Sequence, residues 1–149
     1  MEQRYETFTL LVLNLSRCVQ KIKNKEVESL GLKGTHVQCL FTLFNSDKGA
    51  SLTELCSICG EDKGMMSRTL KELTAKGLVY IDEQENKKYR NPYKLTELGT
   101  ESAKIVSEKV SRILDLVAVG VTEEDRVKMY DTLSHICNTL TEFCKSYKD

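Results

Sequence analysis

Three groups of side chains in this chain have types and spacings that could do chemistry. Ser67, Arg68 and Lys71 lie within one short stretch; Lys71 falls one helical turn beyond Ser67. An Arg can donate two hydrogen bonds to guanine O6 and N7, a Ser can serve base or phosphate, and a Lys can reach phosphate. Lys87, Lys88 and Arg90 form a second, denser cluster around Tyr89. Cations on such a segment suit a narrow minor groove or its flanking phosphates, although a charge run is also a plain means of solubility. Cys56 and Cys59 form a Cys-x-x-Cys pair, which invites a zinc or redox reading.

The zinc reading needs four ligands, usually two such pairs, and no second pair exists; His36 and Cys39 are the nearest other candidates in sequence. On a helix the two sulfurs become neighbours on one apolar face, so core packing is the expectation and no metal is assigned. An enzyme is not expected either. The chain has two His residues, no Gly-rich phosphate loop and no metal-ligand cluster, and no cofactor is called for.

The elements that must carry these residues can be read from the spacing of apolar positions and from turn residues. Phe8, Leu11, Val12, Leu15, Val19 and Ile22 predict a long amphipathic helix from about Glu6 to Leu30, stopped by Gly31. Val37, Leu40, Phe41 and Phe44 predict a second, from Thr35 as cap to Asn45. Ser51 and Glu54 have capping-box spacing and open a short helix burying Leu52, Leu55, Cys56 and Cys59. Gly60-Glu61-Asp62 is a turn, with Asp62 the expected cap of the helix Lys63 to Lys76. Met66, Leu70 and Leu73 are its inward stripe, which leaves Lys63, Met65, Ser67, Arg68, Lys71 and Glu72 on its other surfaces.

After Gly77 come a strand at Leu78 to Asp82, a polar connection from Glu83 to Asn91, and a returning strand at Tyr93 to Leu95. Thr96 then caps a long helix to about Val119, with Ala103, Val106, Val110, Ile113, Leu114 and Val117 inward. A last helix runs from Thr122 to about Tyr147, with Val127, Tyr130, Leu133, Ile136, Cys137, Leu140, Phe143 and Cys144 on its apolar face. The predicted fold class is mainly α with a small β-wing: a winged helix-turn-helix flanked by long terminal helices. Helix-turn-helix followed by a wing is a common way to offer one helix to a DNA major groove. The terminal helices have wider apolar faces than a small winged module needs, so a homodimer is expected. The expected division is residues 1–34 as an N-terminal dimerisation helix, 35–98 as the DNA-binding domain and 99–149 as C-terminal dimerisation helices.

The formal net charge of zero is unusual for a nucleic-acid binder. Its distribution is less so: residues 48–95 hold nine Lys or Arg against seven acids, a surplus of two that the rest of the chain offsets. The opening MEQRYETF is charged and polar rather than signal-like, and Phe8 to Leu15 is too short to cross a bilayer. A cytoplasmic location without membrane contact is expected, where disulfides are rare.

In this order and spacing the chain resembles the MarR family of bacterial transcriptional regulators. The resemblance is carried by a long first helix ending in Leu30-Gly31-Leu32, then Leu52-Thr53-Glu54-Leu55, Ser67-Arg68, Leu73 with Lys76-Gly77-Leu78-Val79, and Leu95-Thr96 with Gly99. It implies a homodimer with two winged lobes reading a pseudo-palindrome, and control by a small ligand or by oxidation. The chain departs from the family at Lys87-Lys88-Tyr89, where an Asp-Arg-Arg run is usual, at Glu61, where an apolar residue is usual, and at Lys63-Gly64-Met65-Met66, where the recognition helix usually opens with a Ser-Thr pair. The family's peroxide-sensing Cys position falls at about Thr9 here, not at Cys18.

The expected function is therefore sequence-specific binding of double-stranded DNA by a homodimeric regulator, a repressor in sense, released by a small aromatic effector. The expected DNA contacts are Ser51, Thr53, Lys63, Gly64, Met65, Ser67, Arg68, Lys71, Lys87, Lys88 and Arg90. Arg17, Lys33, His36 and Cys39 are candidates for an effector crevice. Two alternatives stand beside this: a winged helix used as a protein-interaction module, which the balanced charge favours, and a thiol-based redox sensor.

Overall fold

The computed structural model describes residues 2–83 and 91–147. Six helices and one two-stranded sheet follow in the order α1 (Glu2–Glu28), α2 (Gly34–Phe44), α3 (Leu52–Cys59), α4 (Lys63–Ala75), β1 (Val79–Ile81), β2 (Tyr93–Leu95), α5 (Glu97–Val117) and α6 (Glu123–Cys144). The chain divides into two compact units, residues 1–111 and 112–149.

In the first unit, α2, α3 and α4 turn their apolar stripes onto one core. Val37, Leu40 and Leu43 of α2, Leu55 of α3, and Met66, Leu70 and Leu73 of α4 are buried there. Leu78 and Val79 close it from the strand side, and Ala103 and Val106 from α5. Each burial follows from a local stop or start. Ser51 accepts from the Glu54 N–H while the Glu54 carboxylate accepts from the Ser51 N–H at 2.8 Å, so α3 begins on a complete capping box. Asp62 Oδ1 accepts from the Met65 N–H at 2.8 Å and starts α4. Gly77, at φ +71°, ends α4 by letting the Gly77 and Leu78 N–H groups return to the Thr74 and Leu73 carbonyls. That paired closure brings Leu78 back onto Leu73 and aims the chain into β1.

The sheet is antiparallel, with Val79 opposite Leu95, Tyr80 opposite Lys94 and Ile81 opposite Tyr93. Ala50 adds a short third rung: its N–H donates to the Tyr93 carbonyl at 3.1 Å, and Tyr93 returns the bond at 2.8 Å. Thr96 ties the wing's base to both neighbours. Its hydroxyl donates to the Gly77 carbonyl at 2.6 Å and accepts from the Gly99 N–H at 3.0 Å, which caps α5. A Cβ on Gly99 would lie 1.9 Å from the Leu78 carbonyl oxygen, so only glycine lets α5 approach this closely.

Four expectations need correction. Helix α1 begins earlier and ends sooner than its apolar spacing suggests. Thr35 does not cap α2. Lys33 occupies the cap position, and its backbone N–H donates to Nδ1 of His36 at 3.1 Å, while the Gly34 N–H is taken by Asn24 Oδ1 of α1 at 2.8 Å. Thr35 is thus the second residue of the helix, inside it rather than at its cap. Phe44 is exposed rather than inward, at the frayed end of α2. Beyond Val110 the apolar stripe of α5 emerges into solvent: Leu114 and Val117 are exposed.

The second unit contains the end of α5, the Gly120 turn and α6. Thr122 caps α6 by accepting from the Asp125 N–H at 3.1 Å. No residue of α6 is buried. Among the described residues, no helix is long and apolar enough to cross a membrane.

Candidate nucleic-acid interface

Helix α4 is the element on which the candidate interface rests. Its inward positions, Met66, Thr69, Leu70 and Leu73, are buried. That fixes its rotation about its own axis, because a 3.6-residue period places the intervening residues on the opposite surface. Lys63, Gly64, Arg68 and Lys71 are exposed there, and Met65 and Ser67 are half-buried beside them. Among the described residues, no ion pair engages Lys63, Arg68 or Lys71. Among the described residues the three cations have no carboxylate partner, so an anion could recruit them without breaking an ion pair seen there.

Helix α3 packs against α4. Thr53 is exposed. The Ser51 hydroxyl is already committed, donating to Glu54 at 2.8 Å within the capping box, so it serves the fold before any phosphate. Lys87, Lys88 and Arg90 lie outside the described residues.

The base of the wing holds a feature that the sequence reading missed. Lys94 Nζ lies 2.7 Å from Asp82 Oδ2. The two are diagonal neighbours on one sheet face, since Lys94 stands opposite Tyr80. The carboxylate beside it raises the Lys94 pKa. This pair places a charged strut at the wing's root. Only strand register reveals it, because Asp82 and Lys94 are twelve residues apart in sequence.

The effector candidates do not share an open crevice. Arg17 is exposed on α1 and Lys33 at the start of α2, whereas His36 and Cys39 have no exposed surface. Both His36 nitrogens are engaged: Nδ1 by the Lys33 N–H and Nε2 by Glu72 Oε2 at 2.9 Å. His36 and Cys39 both lie in the core of the first unit. Burial pushes the Cys39 thiol up to about 12. Cys59 is raised too, mainly by burial, against an opposing contact with the Thr42 hydroxyl at 3.8 Å. Cys56 is half-buried and packs against the same core. A reactive thiol needs the opposite, a depressed pKa and access. Among the described residues, no group of three or more His, Cys, Asp or Glu is arranged to hold a metal ion.

Residues 32–99 match the family described as a winged helix DNA-binding domain. No curated protein sequence matches the chain. Solved structures do, over nearly all of it. Staphylococcus aureus MarR in complex with salicylate and kanamycin superposes with a TM-score of 0.82 at 17% identity, covering 95% of both chains. The chain has the MarR fold. A MarR transcriptional regulator from Methanosarcina mazei Go1 matches with a TM-score of 0.80 at 19% identity, over 93% of this chain and 92% of that one. The S. aureus MepR–DNA complex matches with a TM-score of 0.80 at 15% identity, over 89% and 97%. The resemblance read from short motifs and the similarity of the whole fold agree. In the MarR fold so defined, α3 and α4 are the helix-turn-helix and β1 and β2 the root of the wing.

Proposed function

We propose that this protein is a sequence-specific, double-stranded DNA-binding transcriptional regulator of the MarR type. It acts as a homodimer on a pseudo-palindromic site, in the sense of a repressor, and a small aromatic molecule releases it. The observation that carries the reading is the outer face of α4, where Arg68, Lys63 and Lys71 stand exposed and unpaired among the described residues while the opposite face is locked in the core. The match of residues 32–99 to a winged helix DNA-binding domain supports it, as does the likeness to a regulator solved with DNA. The effector is suggested by the likeness to a regulator solved with salicylate. A hollow of about 450 Å³ between α2 and α3, with Phe41 and Ile58 beside Gln38, Thr42 and Asn45, has the size for such a molecule. Exposed Phe8, Leu11, Leu15 and Val19 of α1, and Leu133, Leu140 and Phe143 of α6, support the homodimer.

The test is a duplex selected from a random pool, bound across a salt series. Arg68→Ala is expected to cost roughly 1–3 kcal/mol per half-site and to flatten preference at one base position. Lys88→Ala is expected to weaken all sequences about equally and to lower the salt slope by about one unit per half-site. Equal, salt-insensitive binding by wild type and both variants, or no binding at low salt, would put the protein-interaction module ahead.

A further inference from the structure

His36 is the third residue of α2, and its imidazole has no exposed surface. The Lys33 backbone N–H donates to its Nδ1 at 3.1 Å. An acceptor at Nδ1 fixes the tautomer: the ring's single proton sits on Nε2. Nε2 lies 2.9 Å from Glu72 Oε2 and donates to it. Glu72 belongs to α4, one position beyond Lys71, and Lys33 Nζ holds both of its carboxylate oxygens at 2.8 Å. Lys33, His36 and Glu72 thus form a closed ring of bonds that joins the start of α2 to the helix carrying Arg68.

We propose that His36 is a positioning residue for α4 and a proton-dependent latch: its neutral imidazole ties α4 through Glu72 to the start of α2, and protonation releases that tie and weakens the grip of α4 on DNA. The DNA half of this rests on the function proposed above; the latch itself does not.

The chemistry of the release is specific. A second proton can only go to Nδ1, where it meets the Lys33 N–H head-on, two donors with no acceptor between them. The ring has to turn or withdraw, and either movement breaks the Nε2–Glu72 bond. The charged groups facing the imidazole are Glu72 from α4, Lys33 from the α2 cap and Lys76 at the end of α4. Burial outweighs the favourable carboxylate, and the two lysines add to burial, so the His36 pKa is lowered from its ordinary 6.5. With the folded pKa below the unfolded one, the unfolded chain takes up the proton first. The contribution of His36 to stability is complete above pH 6.5 and declines as pH falls from there through the folded pKa. The pKa of Glu72 is itself lowered from 4.5, chiefly by its hydrogen bonds to Lys33 and His36, which favour the carboxylate.

His36→Gln separates the latch from its proton. One amide carries an acceptor and a donor, so it can take the Lys33 N–H and donate to Glu72 without titrating. His36→Leu keeps the bulk and loses both bonds. Duplex affinity is measured at pH 7.5 and 5.5 on protein confirmed as folded at each pH. At pH 7.5 His36→Gln is expected to bind within about twofold of wild type and His36→Leu more weakly. Between pH 7.5 and 5.5 wild type is expected to lose affinity relative to His36→Gln, up to about tenfold for each pH unit crossed. His135, exposed on α6, is common to both proteins and drops out of the comparison.

Imidazole nitrogen NMR of the free protein reads the latch without DNA: an Nε2–H tautomer at pH 7.5, and α4 amide signals that move with His36 protonation in wild type but not in His36→Gln. Parallel pH profiles for wild type and His36→Gln would overturn the control of DNA binding. Titration of His36 that leaves α4 unmoved would overturn the latch. Failure of any duplex to bind, with the NMR signature intact, would sink the DNA reading and leave the latch standing.

Discussion

Leu70 and Leu140 are the same residue on the apolar stripe of two well-capped helices, α4 and α6, yet Leu70 is 2% exposed and Leu140 is 49% exposed. The stripe of α4 closes on partners from its own chain: Leu55, Leu73 and Leu78 are buried in the same core. The stripe of α6, and that of α1 over Phe8, Leu11, Leu15 and Val19, are left in water. Asp62 caps α4 and Thr122 caps α6, so the difference between these two does not lie in helix formation. It lies in where the apolar area is covered. The winged-helix module is complete within one chain. The terminal helices carry the surface of an unfinished core, and in the proposed reading a second copy finishes it.

This contrast can be broken at several points. The largest effect is expected from Leu140→Glu. In a homodimer the substitution enters twice; each copy loses about half of a leucine's burial, roughly 1–1.5 kcal/mol, and must also desolvate a carboxylate, which is the larger cost. Sedimentation equilibrium at micromolar concentration should give about 34 kDa for wild type, twice the 17.0 kDa chain, and the single-chain mass for the variant. A wild-type monomer would remove the comparison's second half. Leu70→Ala comes next. It opens a cavity in the finished core and should cost about 2–5 kcal/mol in urea unfolding. That loss should not depend on protein concentration beyond wild type, whereas the loss from Leu140→Glu should. Ser51→Ala is the smallest: it removes one cap from α3 for about 1 kcal/mol, leaves the mass unchanged, and is read as a shift in the unfolding midpoint. If Ser51→Ala weakened DNA binding far more than it weakened the fold, the hydroxyl would have a phosphate role beyond its capping box.

Much of the winged-helix module was legible in the sequence, because its signals are local. The capping box at Ser51 and Glu54, the Asp62 cap and the Gly77 stop each act within a few residues, and each falls where the spacing placed it. The α4 stripe was legible for the same reason: Met66, Leu70 and Leu73 recur at helical period. The rotation of α4, and so the outward face of Arg68, followed from it. Thr35 misled because cap preference holds only at the helix boundary, and with Asn24 taking the Gly34 N–H the helix starts before Thr35.

What the sequence by itself determined, then, was the order of elements, their starts and stops, and which side of each helix is apolar. Those depend on hydrogen bonds and periodicities that close within one or two turns. Contacts across long separations depend on how the helices pack. The tertiary structure joined His36 to Glu72, thirty-six positions away, and paired Lys94 with Asp82 through the register of two three-residue strands. It also put Cys39 at no exposure while leaving Leu140 in water. A pattern of residues states that an apolar face must be covered. Which faces one chain can cover is a matter of the space that its packed helices enclose, and no local signal carries that.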